Sequence, residues 1–268
     1  MMGIDPSAVI HPMAVVEAGA SIGPGCVIGP FCVVGPEARL DADVTLKSHA
    51  VVTGWTEIGQ GTVIFPFANI GDVPQDLKYS GEKTRLIVGK RNRIREGVTM
   101  NTGTEGGGGI TRVGDDGLFM AGAHVAHDAQ LGDRVIMANN AAVAGHCIIA
   151  DDVIIGGLSG VHQFVRIGKG AIIGAVTMVT NDVIPYGLVQ GPRGMLDGLN
   201  LVGLKRRGVA REDIMALRAA FQALAQGDGA FQDRAKRLLD DVAGQSRYVR
   251  DIVDFVLGES DRSFLTPG

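Results

Sequence analysis

The fold is decided by a short repeat that is clearest in residues 20–40, which read ASIGPGCVIGPFCVVGPEARL. Ile22, Ile28 and Val34 stand six positions apart, and each has Ala or Cys two positions before it and Gly directly after it. A short fixed period of this kind is typical of a solenoid. The same aliphatic position recurs over three segments of the chain: from Ile10 to Ile70, from Val88 to Met100 and from Val113 to Val179.

A six-residue period fits neither a helix, with its 3.6 residues per turn, nor plain strand alternation. It fits short strands separated by tight corners, so that three hexads close a triangular coil of about eighteen residues and coils stack at roughly 4.8 Å. The large aliphatic side chain then points inward, the small residue fits the corner, and Gly relieves crowding or a positive φ. The pattern resembles the left-handed parallel β-helix of hexapeptide-repeat proteins, and this resemblance predicts the handedness.

Two interruptions and a change of composition divide the chain. The second interruption contains four consecutive glycines, which form either a flexible surface loop or a functional insertion. After Pro185 the period is lost and apolar residues follow helical spacing. We predict a mainly β protein, with a left-handed β-helix over 1–190, loops at 71–87 and 101–112, and a small α-helical C-terminal domain over 191–268. The residues that predict three or four helices are Ile214, Leu217, Ala220, Phe221, Leu224, Leu238, Leu239, Val242, Ile252, Val253 and Val256, with Gly244 ending one helix.

Composition limits the kind of protein and its partners. Hydrophobic residues make up 46% of the chain but aromatic residues only 5%, which fits thin coils filled by aliphatic side chains. The net charge of −4 argues against nucleic acid as a partner. There is no apolar run of about eighteen residues, so we expect no membrane span, and the repeat begins by Ile10, which leaves no room for a signal peptide.

The three cysteines point to a compartment. Cys26, Cys32 and Cys147 all occupy the small inward position of the repeat, and they show no spacing typical of metal ligands. We interpret them as buried thiols in a reducing environment. The expected location is therefore the cytoplasm.

Histidines dominate the polar part of the repeat, beginning with residues 123–128, which read AHVAHD. His127, His146 and His162 are each separated by about one coil, so we expect them to rise along one edge of the prism, with His124 nearby. Three interpretations are open: zinc ligands, merely solvated side chains, or a base. We favour the base and expect no metal, because histidine accepts a proton near neutral pH and Asp128 can fix its tautomer.

A coil of this kind has no deep pocket of its own, so a cleft needs a second surface. The simplest source is another copy of the chain, and closed cyclic symmetry is the usual arrangement. A triangular prism has three faces to offer. We therefore predict a homotrimer with sites between subunits.

A basic segment lies where the coil gives way to the helices, in residues 200–208, which read NLVGLKRRG. Lys205, Arg206 and Arg207 can cap a helix C-terminus, where they meet the negative end of its dipole. They can also capture a phosphate or pyrophosphate, for which Arg is well shaped. Both interpretations remain open on the residues alone.

Taken together, five motifs in order resemble the UDP-N-acetylglucosamine O-acyltransferases, and the match covers essentially the whole chain. The resemblance implies the first step of lipid A biosynthesis in Gram-negative bacteria. In that step a 3-hydroxyacyl chain moves from acyl carrier protein to the 3-hydroxyl of UDP-N-acetylglucosamine, and we expect no cofactor. The motifs are Gln75-Asp76-Leu77-Lys78-Tyr79, Ala123-His124-Val125-Ala126-His127-Asp128, Ala144-Gly145-His146, Val161-His162-Gln163-Phe164 and Gly203-Leu204-Lys205-Arg206-Arg207-Gly208.

The resemblance also implies roles. His127 would be the general base, Asp128 would orient it, and the backbone N–H of Gly145 would stabilise the oxyanion at the thioester. Arg166 and Lys169 would receive the acidic carrier protein. The residues implied in substrate binding are Gln75, Asp76, Lys78, His124 and His146 for the sugar and phosphates, His162 and Gln163 for the donor or nucleotide, and Asn200, Arg206 and Arg207 for the UDP end.

The chain departs from the family pattern at three positions. Val202 stands where the family has Glu, and Asn101 stands where a basic residue is frequent. Ala175 stands where Gly often lies at the end of the acyl groove. The extra methyl group predicts a shorter preferred acyl chain.

Other functions remain as alternatives. Some relatives transfer the acyl group to a 3-amino sugar and form an amide. The later N-acyltransferase of the pathway shares the coil but normally carries an additional N-terminal uridine-binding domain, for which the early start of the hexads leaves no room. A coenzyme A-dependent acetyltransferase, a gamma-type carbonic anhydrase or other zinc protein, and a non-catalytic scaffold are further possibilities.

Overall fold

The computed structural model describes residues 3–226, 228–239, 246–260 and 262–267, and it winds the repeat into a triangular prism. Each face is a sheet of short strands, one from each coil, and the strands are numbered in chain order. The first face contains β1 (Val9–Ile10), β4 (Val27–Ile28), β7 (Thr45–Leu46), β10 (Val63–Ile64), β13 (Arg93–Ile94), β16 (Leu118–Phe119), β19 (Ile136–Met137), β22 (Ile154–Ile155), β25 (Ile172–Ile173), β27 (Gly187–Gln190) and β28 (Met195–Leu199).

The other two faces are built in the same way. The second face contains β2 (Val15–Val16), β5 (Val33–Val34), β8 (Val51–Val52), β11 (Asn69–Asp72), β14 (Thr99–Asn101), β17 (His124–Val125), β20 (Ala142–Val143), β23 (Gly160–Val161) and β26 (Met178–Val179). The third face contains β3 (Ser21–Ile22), β6 (Arg39–Leu40), β9 (Trp55–Ile58), β12 (Arg85–Val88), β15 (Ile110–Val113), β18 (Gln130–Leu131), β21 (Ile148–Ile149) and β24 (Arg166–Ile167).

The register confirms the predicted coil. Val9 pairs with Val27, and Val27 with Thr45, all in parallel, so one coil takes eighteen residues. The repeating aliphatic residues form the core and are almost completely buried from Ile22 onward. The three cysteines are buried beside them, as the small inward position predicts.

The glycines of the repeat serve close packing. A Cβ on Gly23 or Gly29 would lie 2.8 or 2.9 Å from the backbone of the next coil, which leaves no room for a side chain. These two glycines do not need a positive φ. The left-handed conformation at the corners is taken mostly by other residues, such as Asp128 with φ 60° and His146 with φ 61°.

Both predicted loops are shorter than expected. Strand β11 continues to Asp72, and strand β12 begins at Arg85 and pairs along four residues with β15, which begins at Ile110. The first loop is therefore 73–84 and the second 102–109, and the second contains a 3₁₀ helix over Glu105–Gly107. The flanking residues prefer strand pairing because it satisfies their backbone hydrogen bonds.

The chain leaves the coil through a hairpin. Strands β27 and β28 pair antiparallel, and the predicted boundary between residues 190 and 191 falls in their turn. Four helices follow among the described residues: α1 (Leu201–Arg206), α2 (Arg211–Gln226), α3 (Phe231–Arg237) and α4 (Arg247–Leu257).

Most of the predicted apolar residues in the described part of the helical tail are buried, but Phe221 is half-buried and Leu239 is exposed. Helix α2 buries Ile214, Leu217, Ala220 and Leu224, and α4 buries Ile252, Val253 and Val256. Leu238 and Leu239 lie just after α3, while Val242 and Gly244 lie outside the described residues. Among the described helices, none combines the length and the apolar character needed to cross a bilayer.

Candidate active site

The site centres on two adjacent residues at a corner between the second and third faces. Strand β17 ends at Val125, and the chain then turns through His127 and Asp128 before β18 begins. The Nδ1 atom of His127 lies 2.8 Å from Oδ2 of Asp128, and both residues are buried, at 5% and 3% exposure. Because an ionised carboxylate only accepts hydrogen bonds, Nδ1 carries the ring proton and Nε2 presents a lone pair.

Asp128 is fixed by the glycine-rich loop. The backbone N–H of Thr104 donates to Oδ1 of Asp128 at 2.8 Å, and the Thr104 hydroxyl donates to Oδ2 at 2.6 Å. The backbone N–H of Asp128 in turn donates to the hydroxyl of Thr111 at 2.7 Å. The loop 102–109 therefore anchors the carboxylate. This contact favours a functional insertion over a flexible surface loop as the interpretation of the glycine run.

Two glycines let this loop approach. A Cβ on Gly103 would lie 2.8 Å from Oδ1 of Asp128, and a Cβ on Gly107 would overlap the carboxylate itself. Glycine is thus required at these two positions by the close approach of the backbone to a buried carboxylate. Nothing in the six-residue spacing could have identified Thr104, since the loop lies outside the repeat.

His146 stands beside this pair, as the predicted edge requires. Its ring meets that of His127 edge to face at 5.1 Å, and its Nε2 atom lies 3.8 Å from Oδ2 of Asp128. Partial burial lowers its pKa, and the nearby carboxylates of Asp128 and Asp76 oppose that shift. The ring of Phe164, one coil further on, stacks on His146 with 4.5 Å between the ring centroids. The eighteen-residue register could have identified this contact.

His124 lies on the outer surface of β17, close to the same corner. Its Nδ1 atom is 2.7 Å from the hydroxyl of Thr99 on the neighbouring strand. Burial lowers the pKa of His124, and the proximity of His127 adds to the effect. The structure therefore brings His124, His127 and His146 together, with His127 and His146 next to the Asp128 carboxylate.

Gly145 lies directly above His127. A Cβ on Gly145 would lie 2.5 Å from Cε1 and 2.8 Å from Nε2 of the His127 ring, so a side chain there would displace the imidazole. Among the residues that the structure describes, no group accepts a hydrogen bond from the Gly145 N–H. This N–H is free to bind a ligand beside the Nε2 lone pair.

The first loop contributes one residue to this cluster. Asp76 is close enough to His146 to oppose the lowering of its pKa, and its Oδ1 atom accepts a hydrogen bond from the backbone of Lys78 at 3.0 Å. Gln75 and the side chain of Lys78 are exposed on the same loop. Of the three predicted loop residues, Asp76 is the one that the structure places at the histidines.

His162 and Gln163 occupy the same edge one coil above Gly145. His162 does not stack on His146, because Phe164 takes that place. Its Nδ1 atom instead lies 2.8 Å from Nη2 of Arg262, which also donates to the carbonyl of Gln163 at 2.8 Å. Arg262 is a residue that sequence reasoning missed, since it lies in the tail and follows no period.

The basic segment lies elsewhere on the molecule. Asn200 is buried; its Oδ1 atom caps α1 by accepting from the backbone of Gly203 at 2.9 Å, and its Nδ2 atom donates to the carbonyl of Gly170 at 3.0 Å. Arg206 and Arg207 are exposed at the C-terminal end of this helix, as the capping interpretation predicts. Gly170 belongs to the corner between the third and first faces, so these residues do not meet His127 within one chain.

The prediction for Arg166 is wrong. Its guanidinium is largely buried and pairs with Asp182 at 2.7 Å, and it also lies over the ring of Phe255 at 4.5 Å. A cation committed to a buried carboxylate cannot receive a carrier protein. Lys169 is exposed.

A metal is the other chemistry that this cluster suggests. Ligand atoms of His127, Asp128 and His146 all lie within 4.8 Å of one another. However, both oxygens of Asp128 already accept hydrogen bonds, and His127 uses Nδ1 for one of them. These bonds describe a carboxylate that orients an imidazole, which is the arrangement of a general base.

Comparison with known proteins supports the fold. One family model, described as "Bacterial transferase hexapeptide (six repeats)", matches residues 3–36, and another, described as "Udp N-acetylglucosamine O-acyltransferase; Domain 2", matches residues 182–265. The coil is the predicted left-handed parallel β-helix. With a buried His–Asp pair at its edge, the molecule has the features of a hexapeptide-repeat acyltransferase.

Individual relatives show which family of hexapeptide-repeat acyltransferases the chain belongs to. A Paracoccus denitrificans protein named acyl-[acyl-carrier-protein]--UDP-N-acetylglucosamine O-acyltransferase is 70% identical over 200 residues, which are 75% of each chain. A Rhizobium etli protein of the same name is 51% identical over 228 residues, 85% of this chain and 84% of the relative. The solved UDP-N-acetylglucosamine acyltransferase from Campylobacter jejuni is 37% identical with a TM-score of 0.90, covering 97% of this chain and 100% of its own. The chain belongs to the acyl-[acyl-carrier-protein]--UDP-N-acetylglucosamine O-acyltransferase family.

Proposed function

We propose that this chain transfers a 3-hydroxyacyl group from acyl carrier protein to the 3-hydroxyl of UDP-N-acetylglucosamine, as the first step of lipid A biosynthesis. The buried hydrogen bond between His127 and Asp128 carries the proposal, because it leaves a lone pair on Nε2 of His127, next to Gly145. The names of the relatives support oxygen, and not a 3-amino group, as the acceptor atom.

In this mechanism His127 is the general base. Its Nε2 atom takes the proton of the sugar hydroxyl while the hydroxyl oxygen attacks the thioester carbonyl. Asp128 holds the ring and stabilises the imidazolium that forms. The carbon–sulfur bond then breaks, and the imidazolium returns its proton to the departing thiolate, so that atoms and charge balance.

Gly145 supplies the electrostatic part of the reaction. Negative charge develops on the carbonyl oxygen as the tetrahedral intermediate forms, and a preorganised N–H donor stabilises it. The Gly145 N–H lies beside His127 and has no acceptor among the described residues, which supports this role. Only a glycine permits the arrangement, since a Cβ would strike the base.

The surrounding polar residues bind the substrates. His124, His146 and Asp76 lie around the base and are suited to the hydroxyl groups of the sugar, with Lys78 and Gln75 on the same loop. His162 and Gln163, one coil higher, contact the acyl donor. Asn200, Arg206 and Arg207 bind the UDP end, where Arg suits phosphate oxygens.

The active form is a homotrimer with sites between subunits. Asn200 is tied to Gly170 at one corner of the prism, whereas His127 lies at another corner and on another coil. A second copy can bring its basic segment to the His127 edge, which one chain alone cannot do. Size-exclusion chromatography with mass measurement should give a trimer, and a stable monomer with full activity would overturn this arrangement.

The proposed location is the cytoplasm. Cys26, Cys32 and Cys147 are free and buried, and burial raises the pKa of the Cys147 thiol to about 12. Free, buried thiols are typical of proteins in a reducing compartment. Acyl carrier protein and UDP-sugars are the partners that this location would supply.

One assay tests the function. Purified protein is offered UDP-N-acetylglucosamine or its 3-amino analogue, together with a 3-hydroxyacyl carrier protein. His127→Ala should reduce turnover by a factor on the order of 10²–10⁴, the usual contribution of a general base. His49→Ala, at a different corner of the prism, is the matched control and should retain turnover. Activity retained in His127→Ala would favour a non-catalytic role, and metal analysis with stoichiometric zinc would favour a metal centre.

A further inference from the structure

The C-terminal strap, residues 262–267, lies across the last coils and is tied to them by the backbone. The N–H of Asp182 donates to the carbonyl of Ser263 at 2.9 Å, and the N–H of Leu265 donates to the carbonyl of Asp182 at 2.8 Å. Phe264 packs against Phe231 and Phe255 of the helical tail at 5.5 and 6.2 Å. The strap is therefore held between the coil and the helices.

The anchor of the strap is itself fixed. Asp182 is completely buried and accepts from Nε of Arg166 at 2.7 Å and from the hydroxyl of Ser260 at 2.6 Å. A buried carboxylate with its hydrogen bonds satisfied is a rigid element. The backbone N–H of Arg262 also donates to the Ser260 hydroxyl at 3.0 Å. These bonds set where the Arg262 side chain begins.

Arg262 reaches back to the edge that carries His127. Its Nη2 atom lies 2.8 Å from Nδ1 of His162 and 2.8 Å from the carbonyl oxygen of Gln163. A guanidinium has donors only, so Nδ1 of His162 must present a lone pair. The proton of the neutral ring then lies on Nε2, which makes that nitrogen a hydrogen-bond donor.

The other tautomer of His162, with the proton on Nδ1, also has a hydrogen-bond acceptor nearby. Nδ1 of His162 lies 3.3 Å from the carbonyl oxygen of Gln163, and a proton on Nδ1 could be donated there. Arg262 prevents this hydrogen bond because its guanidinium donates to both the Gln163 carbonyl oxygen and Nδ1 of His162. Removing the guanidinium frees both, and the ring proton would move to Nδ1.

We propose that Arg262 is a positioning residue that fixes His162 as an Nε2–H donor toward a carbonyl oxygen of the acyl donor. His162 stands one coil above Ala144 and Gly145, in parallel register with them, so it lies on the same edge as the proposed oxyanion site. The inference rests on the proposed function for the identity of the ligand. The tautomer itself depends only on the contacts of Arg262.

Nuclear magnetic resonance of the full chain labelled with ¹⁵N-histidine tests the tautomer. The chain has six histidines, and His162→Gln assigns the signal. The intact protein and Arg262→Lys, which keeps a donor-only cation, should show Nε2–H at His162. Arg262→Ala should show Nδ1–H. An unchanged tautomer in Arg262→Ala would overturn the inference, and circular dichroism checks that the variants remain folded.

Kinetics supplies the second measurement. Arg262→Ala should raise the KM for the acyl carrier protein substrate about tenfold, the effect of losing one hydrogen bond, and Arg262→Lys should recover part of it. Arg247→Ala, an exposed arginine bonded to Tyr248, is the control and should leave both KM values unchanged. A rise confined to the KM for the UDP-sugar would overturn the assignment to the acyl donor. If the intact protein transfers no acyl group but the tautomer still moves, the proposed function fails and the positioning role stands.

Discussion

Gly107 packs so closely against Asp128 that a Cβ on Gly107 would overlap the carboxylate group. The contact joins two parts of the chain that the repeat does not relate, because Gly107 belongs to the loop 102–109 and Asp128 to a corner of the coil. It explains why residue 107 is glycine, and it makes the position of the proposed base depend on a surface insertion.

Gly107→Ala should therefore disable the enzyme while Gly106→Ala should not. The added methyl group at Gly107 would push Asp128 away from His127, and displacing a catalytic group by about 1 Å can cost on the order of 10²-fold in rate. A Cβ on the adjacent Gly106 meets nothing within 4 Å, which makes it a matched control. Measurement of kcat for both variants checks the prediction, and equal kcat values would contradict it.

Gly145→Ala should lower kcat because the added methyl group would displace the His127 imidazole. A Cβ on Gly145 would lie 2.5 Å from Cε1 of His127, while the backbone N–H would remain in place. We expect a loss on the order of 10²-fold with little change in melting temperature. Gly198→Ala, where a Cβ meets nothing within 4 Å, controls for the substitution. Wild-type turnover in Gly145→Ala would show that the imidazole tolerates the methyl group.

Stability should depend on pH through two histidines. Burial lowers the pKa of both His124 and His146 in the folded chain, whereas an unfolded histidine titrates near pH 6.5. As the pH falls below about 6.5, the unfolded chain binds protons that the folded chain does not, so the free energy of unfolding decreases. Above that pH the contribution is fully present.

Urea unfolding between pH 5 and 8 measures this dependence. The double variant His124→Gln, His146→Gln should show a flatter dependence on pH than the intact protein. His11→Gln, at an exposed N-terminal position, should not alter the slope. An identical slope in the double variant would mean that other groups control the acid limit of stability.

The coil could be predicted from sequence because its rule is local. One inward aliphatic residue in every six fixes a strand and a corner, and the register of Val9 with Val27 follows from counting. The same counting brought His127 and His146 together on one edge. The sequence predicts longer loops than the structure has, because Arg85 and Ile110 extend their strands by pairing with each other. The six-residue pattern does not indicate this pairing.

Two contacts that complete the site could not be predicted from the six-residue repeat. Thr104 holds Asp128 from a loop outside the repeat, and Arg262 holds His162 from the far end of the chain. Both depend on how an irregular segment folds back on the coil. The resemblance to a known family supplied roles for the residues in its motifs, but neither Thr104 nor Arg262 lies in one of them.

We predict that the methyl group of Ala175 limits the length of the acyl chain. Ala175 is exposed at the corner between the first and second faces, so the second face separates it from His127. From β17 to β26 that face rises three coils, roughly 14 Å at about 4.8 Å each. The strands in between present only Ala142 and Gly160 outward, which leaves a shallow path for a hydrocarbon chain.

Ala175→Gly should shift the preference toward a chain two carbons longer. Each added methylene contributes about 0.8 kcal/mol when buried, so the ratio of kcat/KM for the longer over the shorter chain should rise about tenfold. Ala121→Gly is the matched control. Ala121 occupies the same corner position as Ala175 but three coils earlier, between β16 and β17, so it is far from the proposed end of the acyl chain. The measurement is kcat/KM with 3-hydroxyacyl carrier proteins of graded length. If Ala175→Gly leaves the ratio unchanged, the acyl chain ends elsewhere on the second face, and the methyl group of Ala175 does not limit it.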